Sequence, residues 1–258
     1  MHKHQTSSLL VDDGAELFFE QQGDGAPLLL LHGLTGTSGD FVHLFALDRL
    51  AHDFCWLSPD ARGHGRSNNP SGAFSFARCA RDVLALLDAL HIDKVRALGI
   101  SLGANTLLHL ATLAPGRVER ALLVSAAPHF PPATRAAFRT HAAASLPPAE
   151  WARLRAQHLH GDAQIEALLQ LPARLADDPD DMSFSADRLA RIRADTLIVA
   201  GDRDPLYPLE LALELYRGIP RAALWVVPEG GHSPVFGSFR APFEQLALDF
   251  LGRSQPAG

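Results

Sequence analysis

Cysteine is scarce in this chain: Cys55 and Cys79 are the only two in 258 residues. That is too few for a disulfide framework, and neither sits in CxxC or Cys/His ligand spacing, so both read as free buried thiols in a reducing compartment. Long apolar runs are missing as well. No stretch approaches the ~18 uninterrupted apolar residues of a membrane span, and residues 1–8 contain no apolar signal core. A cytoplasmic protein without membrane contact is expected. Positive charge is in deficit: 23 Lys and Arg against 29 Asp and Glu give a formal net charge of -6, which offers no general attraction to phosphate backbones and argues against nucleic acid as a partner. The sequence has no self-similar period and no low-complexity tract, which removes solenoid and fibrous readings. With 47% hydrophobic and 20% charged residues, the chain can bury one large core.

Short Leu-, Val- and Ile-rich runs alternate with amphipathic stretches, the pattern of a mostly parallel sheet covered by helices on both faces. The fold class is α/β. Leu9 to Val11 and Glu16 to Gln22 flank Asp12-Asp13-Gly14 and predict an opening hairpin. Buried strands are expected at Pro27 to Leu31, Phe54 to Ser58, Val95 to Ile100, Ala121 to Ser125, Thr196 to Ala200 and Ala223 to Val227. Helices are expected from Ser75 to about Leu90, with a stripe of Val83, Leu84, Leu87 and Leu90, and over Leu102 to Ala114, Pro208 to Gly218 and Ala241 to Leu251. Residues 131–193 break the alternation, being Ala-, Leu- and Arg-rich with Pro131-Pro132, Pro147-Pro148 and Pro172 as breakers. They are expected to form a small helical cap, inserted between core segments 1–130 and 194–258, above the carboxyl ends of the strands where ligands bind.

Gly99-Ile100-Ser101-Leu102-Gly103 fits G-x-S-x-G where a strand is expected to end and a helix to begin. With 15 Ser and 20 Gly in 258 residues, chance supplies about 0.09 such strings. The placement strengthens the string, because a tight strand-to-helix turn leaves no room for side chains beside an exposed nucleophile. A serine hydroxyl needs a base, and the base needs an acid to hold its tautomer. His232, in Gly230-Gly231-His232-Ser233-Pro234, follows the final strand and is the expected base. Gly201-Asp202-Arg203-Asp204-Pro205 offers a carboxylate at the same sheet end, and spacing alone does not choose between Asp202 and Asp204. The backbone N–H groups of Leu34, in His32-Gly33-Leu34-Thr35-Gly36, and of Leu102 are the expected oxyanion donors. His32 is expected to be buried and to hold its loop. No phosphate-binding loop, complete dinucleotide fingerprint or zinc helix occurs, so neither cofactor nor metal is expected.

With these motifs in this order, the chain resembles the α/β-hydrolase superfamily over nearly its whole length. The resembling features are His32-Gly33, the stretch Asp60-Ala61-Arg62-Gly63-His64-Gly65-Arg66-Ser67, the turn at Ser101 and the late Asp and Gly-His loops. The resemblance implies the order Ser101, Asp204, His232, favouring Asp204 over Asp202 because the family's acid lies three residues past the loop's Gly. It also implies that Asp60 to Ser67 is a structural loop after the strand beside the nucleophile strand. Serine rather than aspartate at position 101 argues against dehalogenase and epoxide-hydrolase chemistry. Leu34-Thr35-Gly36-Thr37 lacks the Gly-Pro-Gly of the carbon–carbon bond hydrolases and the aromatic residue of the haloperoxidases. The implied activity is a carboxylesterase-like serine hydrolase acting on a small to medium acyl or aryl ester, as a monomer or homodimer. The alternatives are a slowly hydrolysing small-molecule receptor of the same fold, or a lactone, thioester, amide or carbon–carbon bond hydrolase. Phe130, Phe138, Trp151, Met182 and Phe184 are the candidates for lining the pocket, against the alternative that they pack the cap onto the core.

Overall fold

In the computed structural model, which describes residues 3–143 and 145–253, the strands are β1 (Gln5–Leu10), β2 (Glu16–Gln22), β3 (Ala26–Leu31), β4 (Phe54–Pro59), β5 (Val95–Ile100), β6 (Val118–Val124), β7 (Asp195–Gly201) and β8 (Ala222–Val227). They form an eight-stranded sheet in the order β1-β2-β4-β3-β5-β6-β7-β8. Pairing is parallel from β4 through β8, while β2 runs antiparallel to both β1 and β4.

Alternation along the strands divides the core in two. Leu29, Leu31, Ala97, Ala121, Leu123 and Ile198 pack on one face against α2 (Phe76–Ala89), α3 (Leu102–Leu113) and α8 (Leu209–Gly218). Leu28, Leu30, Leu98, Leu122, Val124 and Val199 pack on the other, against α1 (Leu47–Asp53) and α9 (Arg240–Gly252). Because both faces are covered, the strands read as continuous apolar runs. The buried residues of α2 are Phe76, Cys79, Ala80, Asp82, Val83, Leu86 and Leu87. Leu84 and Leu90 of the expected stripe are only partly buried, because the helix seats itself through Phe76 and Cys79, one turn earlier than its leucines suggest.

The expectation that Asp60 to Ser67 follows the strand beside the nucleophile strand is corrected. β4 is separated from β5 by β3. The connection from β3 to β4 crosses one face through α1, and that from β4 to β5 crosses the other through α2, so right-handed crossovers place β4 and β5 on opposite sides of β3. Between β3 and β5 the order reverses, and the loops after these two strands diverge to leave a crevice at their carboxyl ends.

Between β6 and β7 the chain passes through α4 (Pro132–Ala143), α5 (Pro148–Gln157), α6 (Asp162–Asp177) and α7 (Ala186–Leu189). Pro132 and Pro148 open α4 and α5, where a missing N–H costs nothing. Pro172 does not break its helix, contrary to expectation. It lies inside α6 and is buried against the crevice, where packing offsets one absent backbone bond. Polar contacts tie this segment to the rest of the chain. The Asp181 carboxylate accepts from the N–H groups of Phe76 (2.6 Å) and Ala77 (3.1 Å), closing the open end of α2. The Gly65 N–H donates to His158 Nδ1 (2.8 Å), so the His158 proton sits on Nε2 and is given to the Thr35 carbonyl (3.2 Å).

Three buried imidazoles are held below their ordinary range by burial: His64, next to His32, His158, and His109, which falls to about 4 beside the Arg188 guanidinium. The unfolded chain takes up these protons near pH 6.5, so it binds more protons than the fold below that pH. Stability is therefore full above pH 6.5 and falls as pH drops towards 4. Urea midpoints measured from pH 8 to 5 are expected to be flat above 7 and to fall below 6.5. A midpoint that rises on acidification through this window would contradict the reading.

Candidate active site

Ser101 stands between β5 and α3 with φ 52° and ψ -107°, a conformation L-residues avoid and one that stores about 1–3 kcal/mol. Its flanking glycines are dictated by space. A Cβ on Gly99 would lie 2.4 Å from the Gly103 carbonyl oxygen, and one on Gly103 would lie 2.1 Å from the Leu31 carbonyl oxygen. The turn thus presses β5, α3 and the end of β3 together and leaves the serine hydroxyl raised at the crevice.

His232, on the loop after β8, reaches back with Nε2 2.8 Å from Ser101 Oγ and Nδ1 2.8 Å from Asp204 Oδ2. The other Asp204 oxygen accepts from the N–H groups of Leu206 (2.8 Å) and Tyr207 (3.0 Å), so the carboxylate is clamped on both sides. Asp202 is exposed at the surface, and the imidazole is paired with Asp204. The two loops are brought together by neighbouring strands, β7 and β8, whose register pairs Gly201 with Val227.

Leu34 and Leu102 both border the crevice with Ser101 and His232. Leu102 is the first residue of α3, so its N–H has no acceptor within the helix and lies at the positive end of the helix dipole, next to Ser101. His32 is buried and holds the Leu34 loop: its Nδ1–H donates to the Gly33 carbonyl (2.7 Å), and Nε2 accepts from the Ala61 N–H (2.9 Å). The Asp60 loop is equally structural in its contacts. Asp60 is fully buried and accepts from the N–H groups of Ser38 (2.6 Å) and Arg66 (2.8 Å), while Arg62 makes a bidentate pair with Asp82, both contacts at 2.7 Å.

Above Ser101 lies a cavity of about 250 Å³. Phe138 and His141 of α4 and Pro172 and Leu175 of α6 form its outer wall, and Phe76, Leu206 and Tyr207 line the core side. Of the five aromatic and sulfur-bearing candidates, only Phe138 borders this cavity. Phe130 lies behind it, with ring centroids 5.0 Å from Phe138 and 5.8 Å from Tyr207. Phe184 packs on His109 at 4.8 Å under the Arg188 guanidinium, Met182 is buried in the core, and Trp151 sits on α5 beside Arg155. The sequence marks these side chains as apolar but not which helix turns towards the crevice. Phe76, His141, Pro172, Leu175, Leu206 and Tyr207 lie outside the expected set; Leu206 and Tyr207 had a signal, since they share the short loop of Asp204.

Both cysteines are free, and burial raises each thiol above its ordinary value. Among the described residues no cluster of three or more His, Cys, Asp or Glu is placed to hold a metal ion, and no helix is long and apolar enough to cross a membrane.

The model of the alpha/beta hydrolase family matches residues 28–247, which span β3 through most of α9 and include Ser101, Asp204 and His232. The chain belongs to this family. Among the family's members it is 32% identical over 267 residues to RutD of Variovorax paradoxus, provisionally assigned as a carbamate hydrolase, covering 94% of this chain and 98% of that one. It is 35% identical to the non-heme chloroperoxidase of Streptomyces lividans, but over only 124 residues, 47% of this chain and 45% of the relative. A crystal structure of a hydrolase from Pseudomonas aeruginosa superposes with a TM-score of 0.78 at 29% identity, covering 96% of this chain and 98% of that one. As a family member, the protein is a hydrolase.

Proposed function

We propose that the protein hydrolyses carboxylic esters through an acyl-enzyme on Ser101. The observation carrying this reading is the relay in which Asp204, His232 and Ser101 follow one another at 2.8 Å spacing beneath a largely apolar cavity. Asp204 holds the Nδ1–H tautomer, which leaves Nε2 free to accept the Ser101 proton as Oγ attacks the acyl carbonyl. The oxyanion that forms is met by the N–H groups of Leu34 and Leu102. His232 then gives its proton to the departing alkoxide, and the same imidazole activates the water that releases the acid. Residues 131–193 act as a cap: α4 and α6 enclose the acyl group. At about 250 Å³ the cavity is just below the ~300–1,000 Å³ typical of drug-sized ligands, which favours a small to medium acyl or aryl group.

The test is intact-protein mass after a fluorophosphonate probe, on wild type and on Ser101→Ala, with turnover of p-nitrophenyl acetate, p-nitrophenyl butyrate and an aryl carbamate. A single adduct on wild type alone, with steady ester turnover exceeding carbamate turnover, is expected. Faster carbamate cleavage would replace the ester with a carbamate as substrate. Absence of both adduct and turnover would discard the hydrolytic reading in favour of a ligand-binding role for the cavity.

A further inference from the structure

Tyr207 borders the same cavity as Ser101 and His232. Its ring meets the His232 imidazole edge-on, with centroids 5.0 Å apart at 85°. The direction of its hydroxyl proton follows from a chain of obligatory donors. The Ala127 N–H can only donate, and it does so to Asn105 Oδ1 at 3.1 Å. The amide group of Asn105 is therefore what faces the tyrosine, and Asn105 Nδ2 donates to Tyr207 Oη at 3.1 Å. With one oxygen lone pair occupied by that donor, the single Tyr207 proton is turned away from Asn105 and is free to point into the cavity that Ser101 also borders. Asn105 is wholly buried and belongs to α3, one turn past Ser101, so the order of this chain is fixed by the same helix that positions the serine. Burial raises the Tyr207 hydroxyl above its ordinary value, against the hydrogen bond from Asn105, so it keeps its proton at working pH.

We propose that Tyr207 is a further catalytic residue, whose hydroxyl, oriented by Asn105, donates a hydrogen bond to Ser101 Oγ as negative charge develops there. The inference rests on the acyl-enzyme reading above. No proton is transferred from Tyr207. In acylation the Ser101 proton passes to His232 Nε2, and Oγ bonds to the acyl carbon while Tyr207 stabilises the partly ionised oxygen. In deacylation the Oγ–acyl bond breaks, Oγ departs with the electron pair, and Tyr207 holds it until His232 returns the proton. All the hydrogen bonds then run one way, from Ala127 through Asn105, Tyr207, Ser101 and His232 to Asp204, each polarising the next.

The test compares Tyr207→Phe, Asn105→Asp and the double variant in p-nitrophenyl butyrate turnover and in the rate of fluorophosphonate labelling, with near-UV circular dichroism to confirm folding. Tyr207→Phe keeps the ring against His232 and removes only the donor. A fall in kcat and in labelling rate of about tenfold is expected, with KM within twofold. Asn105→Asp still accepts from Ala127 but turns its second oxygen into an acceptor, which draws the Tyr207 proton away from Ser101. It should match the loss in Tyr207→Phe and add nothing in that background. Labelling and kcat of Tyr207→Phe within twofold of wild type would overturn the inference while leaving the acyl-enzyme intact. Independent, multiplying losses would overturn the orienting role of Asn105. Absence of a Ser101 adduct on wild type would overturn the acyl-enzyme reading and this inference with it.

Discussion

Ser101→Ala is expected to fold with an unchanged melting profile and to lose about 10⁵-fold in ester kcat, retaining only what the oxyanion donors and the cavity supply. Stability is spared because alanine tolerates φ 52° no worse than serine does, and the turn is held by Gly99 and Gly103 rather than by the hydroxyl. Activity is lost because Oγ is the atom that bonds the acyl carbon, and water in its place has neither the fixed 2.8 Å approach to His232 nor the alignment with the cavity. Steady-state turnover of p-nitrophenyl butyrate, paired with a thermal melt, checks both halves. A kcat within tenfold of wild type would remove Ser101 from the mechanism.

Asp204→Asn should cost about 10³- to 10⁴-fold, and Asp202→Asn should stay within twofold. The asymmetry is a matter of protons. The carboxamide introduced by Asp204→Asn would keep the bonds from Leu206 and Tyr207 on its carbonyl oxygen and turn its amide N–H towards His232 Nδ1. Nδ1 would then have to accept, the imidazole proton would move to Nε2, and the base would present a donor where it must accept from Ser101. Asp202 is exposed and touches none of these atoms, so neutralising it changes a surface charge alone. The kcat ratio of the two variants on one ester is the measurement; a reversed ranking would transfer the acid's role to Asp202.

The strands were legible because a sheet covered on both faces demands apolar side chains at every position. Glu16–Gln22 and Val95–Ile100 are observed at the expected bounds, and the other strands shift by a few residues at their ends. The turn at Ser101 was legible for a steric reason: Gly99 and Gly103 are residues the space itself requires. The order of the strands was not legible, since the hand of each crossover, not proximity in sequence, sets which strand lies beside which. That is why β3 stands where β4 was expected. The walls of the cavity were also hidden. Trp151 and Phe184 are as apolar as Phe138, but only the packing of α4 and α6 over the crevice decides which side chain meets it.

By itself the sequence determined the α/β class, the glycine-flanked serine and the loops carrying His232 and the two aspartates, because local backbone geometry and period-two burial are written in neighbouring residues. Pairing His232 with Asp204 rather than Asp202, placing Tyr207 against His232 and turning Pro172 into the cavity fell to the tertiary structure. Each depends on distances between segments tens to more than a hundred residues apart, and such distances are fixed only once the sheet has assembled.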